Sequence, residues 1–322
     1  MICLGLESTA HTIGIGIVDD KKILTNEKSS YIPKKGFGII PKDAAQHHSE
    51  VALEILRNAL EKAKLKMGDI DLIAFSQGPG LPQCLRVGAV FARALALKFN
   101  KPLVPVNHCL AHIEIGKLMT QSKDPVVLYL SGGNTQVIAY TEGRYRVFGE
   151  TQDIPIGNAL DNLARGLQLE MPGGPKIESL AKNGKYLELP YVVKGMDLSF
   201  AGLTTEAVKR FEKGEKAEDV AFSFQETCFA MLVEVTERAI AHTDKEEVLL
   251  VGGVAANKRL QEMLTIMTEE RGAKFLVVPQ EYAGDCGINI AWTGILAHQK
   301  GFDIPVEKSH INQKWRIDEV EW

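Results

Sequence analysis

His108 and His112 bracket the run H-C-L-A-H. On a helix this i, i+4 spacing puts two imidazoles on one face, with Cβ atoms about 5–6 Å apart, close enough to share a metal ion. A histidine pair alone is more often structural or capping, so the metal reading needs further ligands. A zinc protease of the H-E-x-x-H type would carry a glutamate base directly after the first histidine. Here Cys109, Leu110 and Ala111 lie between the two histidines and Glu114 follows the second, so the protease reading fails. Cys109 stands one step round the helix and is assigned to the core. Asp285, ahead of an apolar helix, is either that helix's N-cap or a metal carboxylate, and the sequence does not choose.

A second set of residues suits a phosphorylated ligand. Three strands end in polar or glycine-rich turns: Glu7 to Thr12, Ser131-Gly132-Gly133-Asn134-Thr135, and Gly252 to Asn257. Ligands of open α/β sheets sit at the carboxyl ends of strands. Glycine there lets backbone N–H groups approach phosphate oxygens, and helix N-termini add favourable partial charge. Two Gly-Gly turns and an E-S-T-A-H-T hairpin together point to a phosphate-binding cleft between two related domains. No G-x-x-x-x-G-K-[ST] or G-x-G-x-x-G motif is present, so neither standard nucleotide fold is supported. Asp161 and Glu178 are carboxylates that could accept hydrogen bonds from a ribose diol, or equally surface charges on helices.

The elements that must position these groups alternate between strand and helix. Residues 2–6 and 13–18 read as a hairpin, 43–64 as a helix entered through Pro41, 71–75 as a strand, 85–99 as a helix and 102–106 as a strand. Asn107 then stands as N-cap of the helix that carries H-C-L-A-H. After a polar stretch at 121–125 the pattern restarts, with strand 126–130, a small-residue turn and a returning strand 136–140. Residues 221–242 form a helix with core-packing faces, and strand 248–251 leads through Gly252-Gly253 into another helix. The alternation indicates α/β sheets with parallel strands, and the echo of 2–18 in 126–140 marks a domain boundary, giving domains 1–125 and 126–322.

Bulk properties narrow the partners. Five cysteines without a C-x-x-C pair argue against a disulfide framework and a thiolate zinc site. No apolar run approaches the ~20 residues of a membrane helix, and no signal peptide precedes Ile2, so a cytoplasmic location is expected. The formal net charge is −4, whereas a chain that grips nucleic acid unaided commonly carries a positive excess. Basic clusters at Lys34-Lys35, Lys209-Arg210-Lys213 and Lys314-Arg316 read as solvated surface, so any nucleic-acid substrate would be held with help from partners.

Taken in order, E-S-T-A-H-T, F-S-Q-G-P-G-L, V-N-H-C-L-A-H-I-E, Y-L-S-G-G-N-T-Q, M-P-G-G-P-K-I-E, K-G-M-D-L-S-F-A-G-L, S-F-Q-E-T, V-G-G-V-A-A-N and R-I-D-E-V-E-W span essentially the whole chain. They closely resemble the tRNA N6-adenosine threonylcarbamoyltransferase family, of the archaeal and eukaryotic type found in the KEOPS complex. The resemblance implies an actin/Hsp70/hexokinase-like (ASKHA) fold, with two related domains around a nucleotide cleft. It implies iron or zinc held by His108, His112 and Asp285, with Tyr129 as a further ligand. It also implies that Tyr129, Leu130, Ser131, Gly132 and Gly133 contact the ligand's phosphate and metal-proximal part. Asp161, Gly174 and Glu178 would make ribose-side contacts, and Asn257 an adenine contact. The implied reaction moves a threonylcarbamoyl group from its adenylate to N6 of the adenosine beside the anticodon, releasing AMP. The implied partners are tRNA, a KEOPS-type kinase subunit with small accessory subunits, and an upstream adenylate-forming enzyme. The chain departs from the family pattern at Pro82-Gln83 and at Cys286, where Asn is usual. No catalytic base is assigned; His11 and His48 are candidates. A small-molecule kinase of the same fold lacks a matching motif here, and a nucleotide-responsive binding protein would not need the histidine pair.

Overall fold

A computed structural model describes residues 1–20, 22–33 and 38–322; the Lys34-Lys35 cluster lies outside them. The chain forms two compact units, residues 1–115 with 284–322, and residues 116–283. A linear boundary at 125/126 falls close to the first crossing. Residues 284–322, expected in the second domain, return instead to the first unit, because the helix after Asp285 packs on its sheet.

In the first unit, β1 (Ile2–Glu7), β2 (Thr12–Asp19) and β3 (Ile23–Ser30) form an antiparallel meander. Helix α1 (Pro41–Ala63) follows, entered through Pro41 at its first position, where the missing N–H costs nothing. Then come β4 (Leu72–Gly78), α2 (Pro82–Phe99), β5 (Leu103–Asn107) and α3 (His108–Thr120), which continues into the second unit. The sheet order is β3-β2-β1-β4-β5, with β1, β4 and β5 parallel.

Alternation along the strands gives this sheet two different faces. Leu4, Leu6, Ile13, Ile15, Ile17, Ile73 and Phe75 form a core with Ala52, Ile55, Leu56 and Ala59 of α1 and with Ala89, Ala92 and Leu95 of α2. The intervening positions Gly5, Gly14 and Gly16 carry no side chain on the opposite face. A Cβ on Gly5 would stand 2.2 Å from the Ala291 nitrogen, and one on Gly16 would stand 2.1 Å from the Ile288 nitrogen. A helix therefore lies directly on the strand backbones, an approach that glycine alone permits.

The second unit repeats the connectivity. Strands β6 (Val126–Leu130), β7 (Thr135–Thr141) and β8 (Arg144–Glu150) form its meander. There follow α4 (Ile156–Gly166), α5 (Gly173–Ala181), the small ribbon β9 (Val193–Lys194) and β10 (Asp197–Leu198), α6 (Ala201–Glu212) and α7 (Ala217–Thr243). Then come β11 (Glu247–Val251), α8 (Lys258–Glu270), β12 (Lys274–Val277) and the short α9 (Gln280–Ala283). Its sheet order is β12-β11-β6-β7-β8, with β6, β11 and β12 parallel, so each unit is a meander with two parallel strands added beside its first strand. The restart read from residues 126–140 is thus a repeat of the whole sheet. Helix α10 (Gly287–Gln299) is the one that covers the glycine face of the first unit. No helix among the described residues is long and apolar enough to cross a membrane.

Candidate metal centre

Helix α3 starts at His108, directly after the last residue of β5, and Asn107 caps it as expected. Asn107 Oδ1 accepts hydrogen bonds from the Cys109 N–H at 2.9 Å and the Leu110 N–H at 3.1 Å, which is N-cap geometry. This fixes the first turn and sets the His108 and His112 rings edge to face, 4.7 Å apart, both nearly inaccessible. Cys109 points into the core, where burial pushes its thiol up to about 12 and keeps it protonated.

Asp285 arrives from the far end of the chain on the N-terminal side of α10. The N-cap position of that helix is Cys286, so Asp285 is not the cap. Its Oδ1 lies 3.5 Å from His108 Nε2 and 3.4 Å from His112 Nε2. The two imidazoles and the carboxylate offer three ligand atoms within 4.8 Å of one another, all from the first unit. Two neutral imidazole nitrogens and one carboxylate oxygen suit zinc or non-haem iron, with positions left for further ligands. The residues present fit such an ion.

The β1–β2 turn supplies the group behind the ligands. Glu7, 1% exposed, places Oε2 3.0 Å from His108 Nδ1, and Oε1 accepts the Thr9 N–H at 2.6 Å. The Thr9 hydroxyl stands 3.4 Å from the same Nδ1. A carboxylate on Nδ1 holds the proton there, so that Nε2, on the Asp285 side, is the nitrogen free to give up its proton to a metal ion. Sequence reading placed Glu7 to Thr12 in a phosphate-type turn and offered His11 as a candidate base, with no role for Glu7 at the histidines; the pairing of Glu7 with His108 crosses 101 residues and has no local signature.

The electrostatics follow from these contacts. Burial opposes charging of His108, but Glu7 and Asp285 outweigh it and raise its pKa to about 9 in the metal-free protein. Burial dominates at His112, which is lowered despite the hydrogen bond to Asp285. Burial alone would raise the Asp285 carboxyl; the His112 hydrogen bond and the charges of His108, His112 and His11 hold it well below the carboxylate range. His48, one of two candidate bases, is fully buried and donates from Nε2 to the Ala10 carbonyl at 3.1 Å, so it anchors the turn. Burial lowers its pKa to about 4 and keeps it neutral.

The nucleotide-type residues gather in the second unit, at the carboxyl ends of neighbouring strands β6 and β11. Tyr129 and Leu130 are fully buried at the end of β6. Tyr129, expected as a metal ligand, belongs to this unit and not to the one holding the three clustered ligands. Ser131 shapes the following turn: its Oγ accepts the Gly133 and Asn134 N–H groups at 3.2 and 3.0 Å. Gly132 and Gly133 are exposed, and Cβ atoms built on them would meet nothing within 4 Å. Gly252 has φ of 92°, and a Cβ there would stand 2.2 Å from the Leu130 oxygen, so only glycine lets the second turn pass the first.

The carboxylates expected at a ribose tie helix starts together. Asp161 Oδ1 accepts the Gly173 N–H at 2.8 Å, with Gly174 next in α5, and Glu178 Oε1 accepts the Lys258 N–H at 2.7 Å. Asn257 caps α8 by accepting the Leu260 N–H at 3.1 Å, and its Nδ2 donates to Gln225 Oε1 at 3.1 Å. Gln225 was read only as part of S-F-Q-E-T and given no role, because it sits among the apolar positions of α7.

The profile of the tRNA N6-adenosine threonylcarbamoyltransferase family matches residues 22–292. Proteins bearing that name from Archaeoglobus fulgidus and Thermococcus kodakarensis are each 60% identical over 100% of this chain and 99% of their own length. A Methanocaldococcus jannaschii protein named "Probable bifunctional tRNA threonylcarbamoyladenosine biosynthesis protein" is 54% identical, and the chain spans 60% of it. Among solved structures, T. kodakarensis HypF superposes with a TM-score of 0.65 at 18% identity, over 94% of this chain and 48% of that one. The Acidaminococcus fermentans (R)-2-hydroxyglutaryl-CoA dehydratase component A gives 0.58 at 16% identity, over 93% and 99%. At such identities these structures speak for the fold alone, which is of the actin/Hsp70/hexokinase-like type. The chain belongs to the tRNA N6-adenosine threonylcarbamoyltransferase family and is a transferase.

Proposed function

We propose that this chain transfers the threonylcarbamoyl group from threonylcarbamoyl-adenylate to N6 of the adenosine next to the anticodon, releasing AMP. The observation that carries the reading is the His108–His112–Asp285 cluster backed by Glu7, which would hold one iron or zinc ion per chain. Such an ion supplies Lewis-acid charge neutralisation at the mixed anhydride and the departing phosphate. Family membership supports the tRNA substrate.

The chain's own residues have separable tasks. Glu7 keeps the proton on His108 Nδ1, leaving Nε2 for the ion. Tyr129 is a further ligand by family resemblance. The Ser131–Gly133 turn offers backbone N–H groups and no side-chain obstruction to phosphate oxygens. Asp161, Gly174, Glu178 and Asn257 would hold the ribose and adenine, so binding energy remote from the reacting carbon fixes its orientation. The N6 amine then attacks the carbamoyl carbon. The C–N bond forms, the carbon–oxygen bond to phosphate breaks, and AMP leaves with the electron pair as the N6 proton passes to a base. The adenosine comes from a single-stranded loop, whose bases can be splayed into a site.

The reading places the reaction in the cytoplasm and gives the chain helpers, a kinase subunit and small accessory subunits of the KEOPS type. Relatives named as bifunctional, of which this chain spans only 60%, support a linked second activity, and the net charge of −4 supports borrowed tRNA affinity. The test combines tRNA, threonine, bicarbonate, ATP, an adenylate-forming enzyme and the partner subunits. Modified adenosine is expected with the wild type and a loss of at least 100-fold with His108→Ala. Unmodified adenosine after complete reconstitution refutes the reading, and metal analysis with Tyr129→Phe tests the further ligand.

A further inference from the structure

We infer that the C-terminal segment from Ser309 to Ile317 is a positioning strap for the metal-binding helix, acting through the side chain of Asn107; the inference rests on the metal reading above. The segment runs along the carboxyl ends of β4 and β5. The Gln77 side-chain amide donates to the His310 carbonyl at 2.6 Å, and the Asn312 N–H donates to the Gln77 carbonyl at 2.8 Å. Gly80 N–H reaches the Gln313 carbonyl at 3.3 Å, and Arg93 donates from Nε to the Ser309 hydroxyl at 2.7 Å and from its guanidinium to the Ser309 carbonyl. The approach at Gly78 is so close that a Cβ would stand 1.8 Å from the Asn312 oxygen.

The strap ends on the metal helix's cap. Asn107 is 1% exposed, and its two amide atoms face different elements. Oδ1 caps the first turn of α3, while Nδ2 donates to the Trp315 carbonyl at 3.1 Å. A buried amide can satisfy the helix start in this way only if its nitrogen end has an acceptor, and the strap provides it. The Trp315 carbonyl thereby selects the amide orientation that holds the turn bearing His108 one residue on. Between strap, β5, α3 and α10 lies a cavity of about 380 Å³, lined by Asn107, Leu110, Thr293, Trp315 and Trp322 among others. Directional bonds, more than dense packing, therefore seat the strap at this point.

The test measures Co²⁺ affinity by chelator competition and the Co²⁺ visible spectrum on full-length protein. Asn107→Asp keeps an oxygen to cap α3 but loses the donor to Trp315. Gln77→Ala loosens the strap while touching neither ligand nor cap. Each is expected to lower affinity about tenfold, in the range typical of groups that orient metal ligands. The Co²⁺ spectrum should shift, and the double variant should lose much less than the product of the two. Unchanged affinity and spectrum in both variants, with binding abolished by His108→Ala, overturns the strap and leaves the metal reading standing. A wild type that binds no Co²⁺, Zn²⁺ or Fe²⁺ overturns both.

Discussion

Adding one methyl group to Gly16 should weaken metal binding at the candidate centre from a distance, because Gly16 sets how closely α10 lies on the sheet. Its Cβ would stand 2.1 Å from the Ile288 nitrogen and 2.4 Å from the Gly287 carbonyl carbon, whereas ordinary contact begins at 3.4 Å. Relief of the first clash needs the helix start to move by about 1.3 Å. Asp285 lies two residues before α10 and follows that movement, while His108 and His112 stay with α3. Metal sites tolerate deviations of about 0.2 Å in ligand distance, so a displacement of this size should cost at least tenfold in affinity. Overpacking would also cost about 1–3 kcal/mol of stability. A graded series separates the two effects. Gly5→Ala meets Ala291 at 2.2 Å and should behave like Gly16→Ala, Gly14→Ala meets Gly287 at 2.9 Å and should be milder, and Gly68→Ala meets nothing and is the control. Zinc or cobalt titration beside thermal unfolding reads both quantities. If Gly16→Ala binds metal within about twofold of wild type while remaining folded, the coupling of helix seat to ligand position is refuted.

Glu7→Gln leaves all three ligands in place and should weaken metal binding about 10- to 100-fold, measurable by the same titration. In the metal-free wild type His108 is raised to about 9, above the ordinary 6.5, so its contribution to stability is full below pH 6.5 and lost as pH rises through 9; this alkaline slope of the unfolding midpoint should flatten in Glu7→Gln. His48 is lowered to about 4, so the folded state resists a proton that the unfolded chain accepts. Stability should fall as pH drops from 6.5 toward 4, and His48→Ala should reduce that slope whatever it does to the midpoint. Asp161→Asn retains an acceptor for the Gly173 N–H and should fold normally with unchanged metal affinity. Loss of a charged hydrogen bond, about 1.5–3 kcal/mol, should nonetheless weaken adenylate binding roughly 10- to 100-fold by calorimetry.

Much of this architecture is written locally and could be read. The β1–β2 and β6–β7 hairpins, the Pro41 entry to α1 and the Asn107 cap all depend on neighbours within a few residues, and the structure has each of them. The assignment of residues 284–322 was not legible, because α10 chooses its sheet by the fit of glycine to backbone across the chain. The signal was present as glycines at alternate positions in L-G-L and I-G-I-G, which reads as weak strand unless a close approach is considered. Asp285 was ambiguous between cap and ligand for the same reason: only the packed helix shows that Cys286 takes the cap position. Glu7 illustrates the converse, a residue type easily noticed whose partner is 101 positions away.

The discontinuity of the first unit gives its assembly an order in time. On a ribosome His108 and His112 emerge early, but the carboxylate that completes their cluster is made 173 residues after His112, once the whole second unit has been synthesised. At about 5–20 residues per second, that gap lasts roughly 9–35 seconds. Throughout it the glycine face of the sheet has no covering helix, and the histidines lack their third ligand. Nascent chains arrested before residue 285 would therefore carry both histidines without the carboxylate, and should bind zinc or cobalt far more weakly than chains extended through α10.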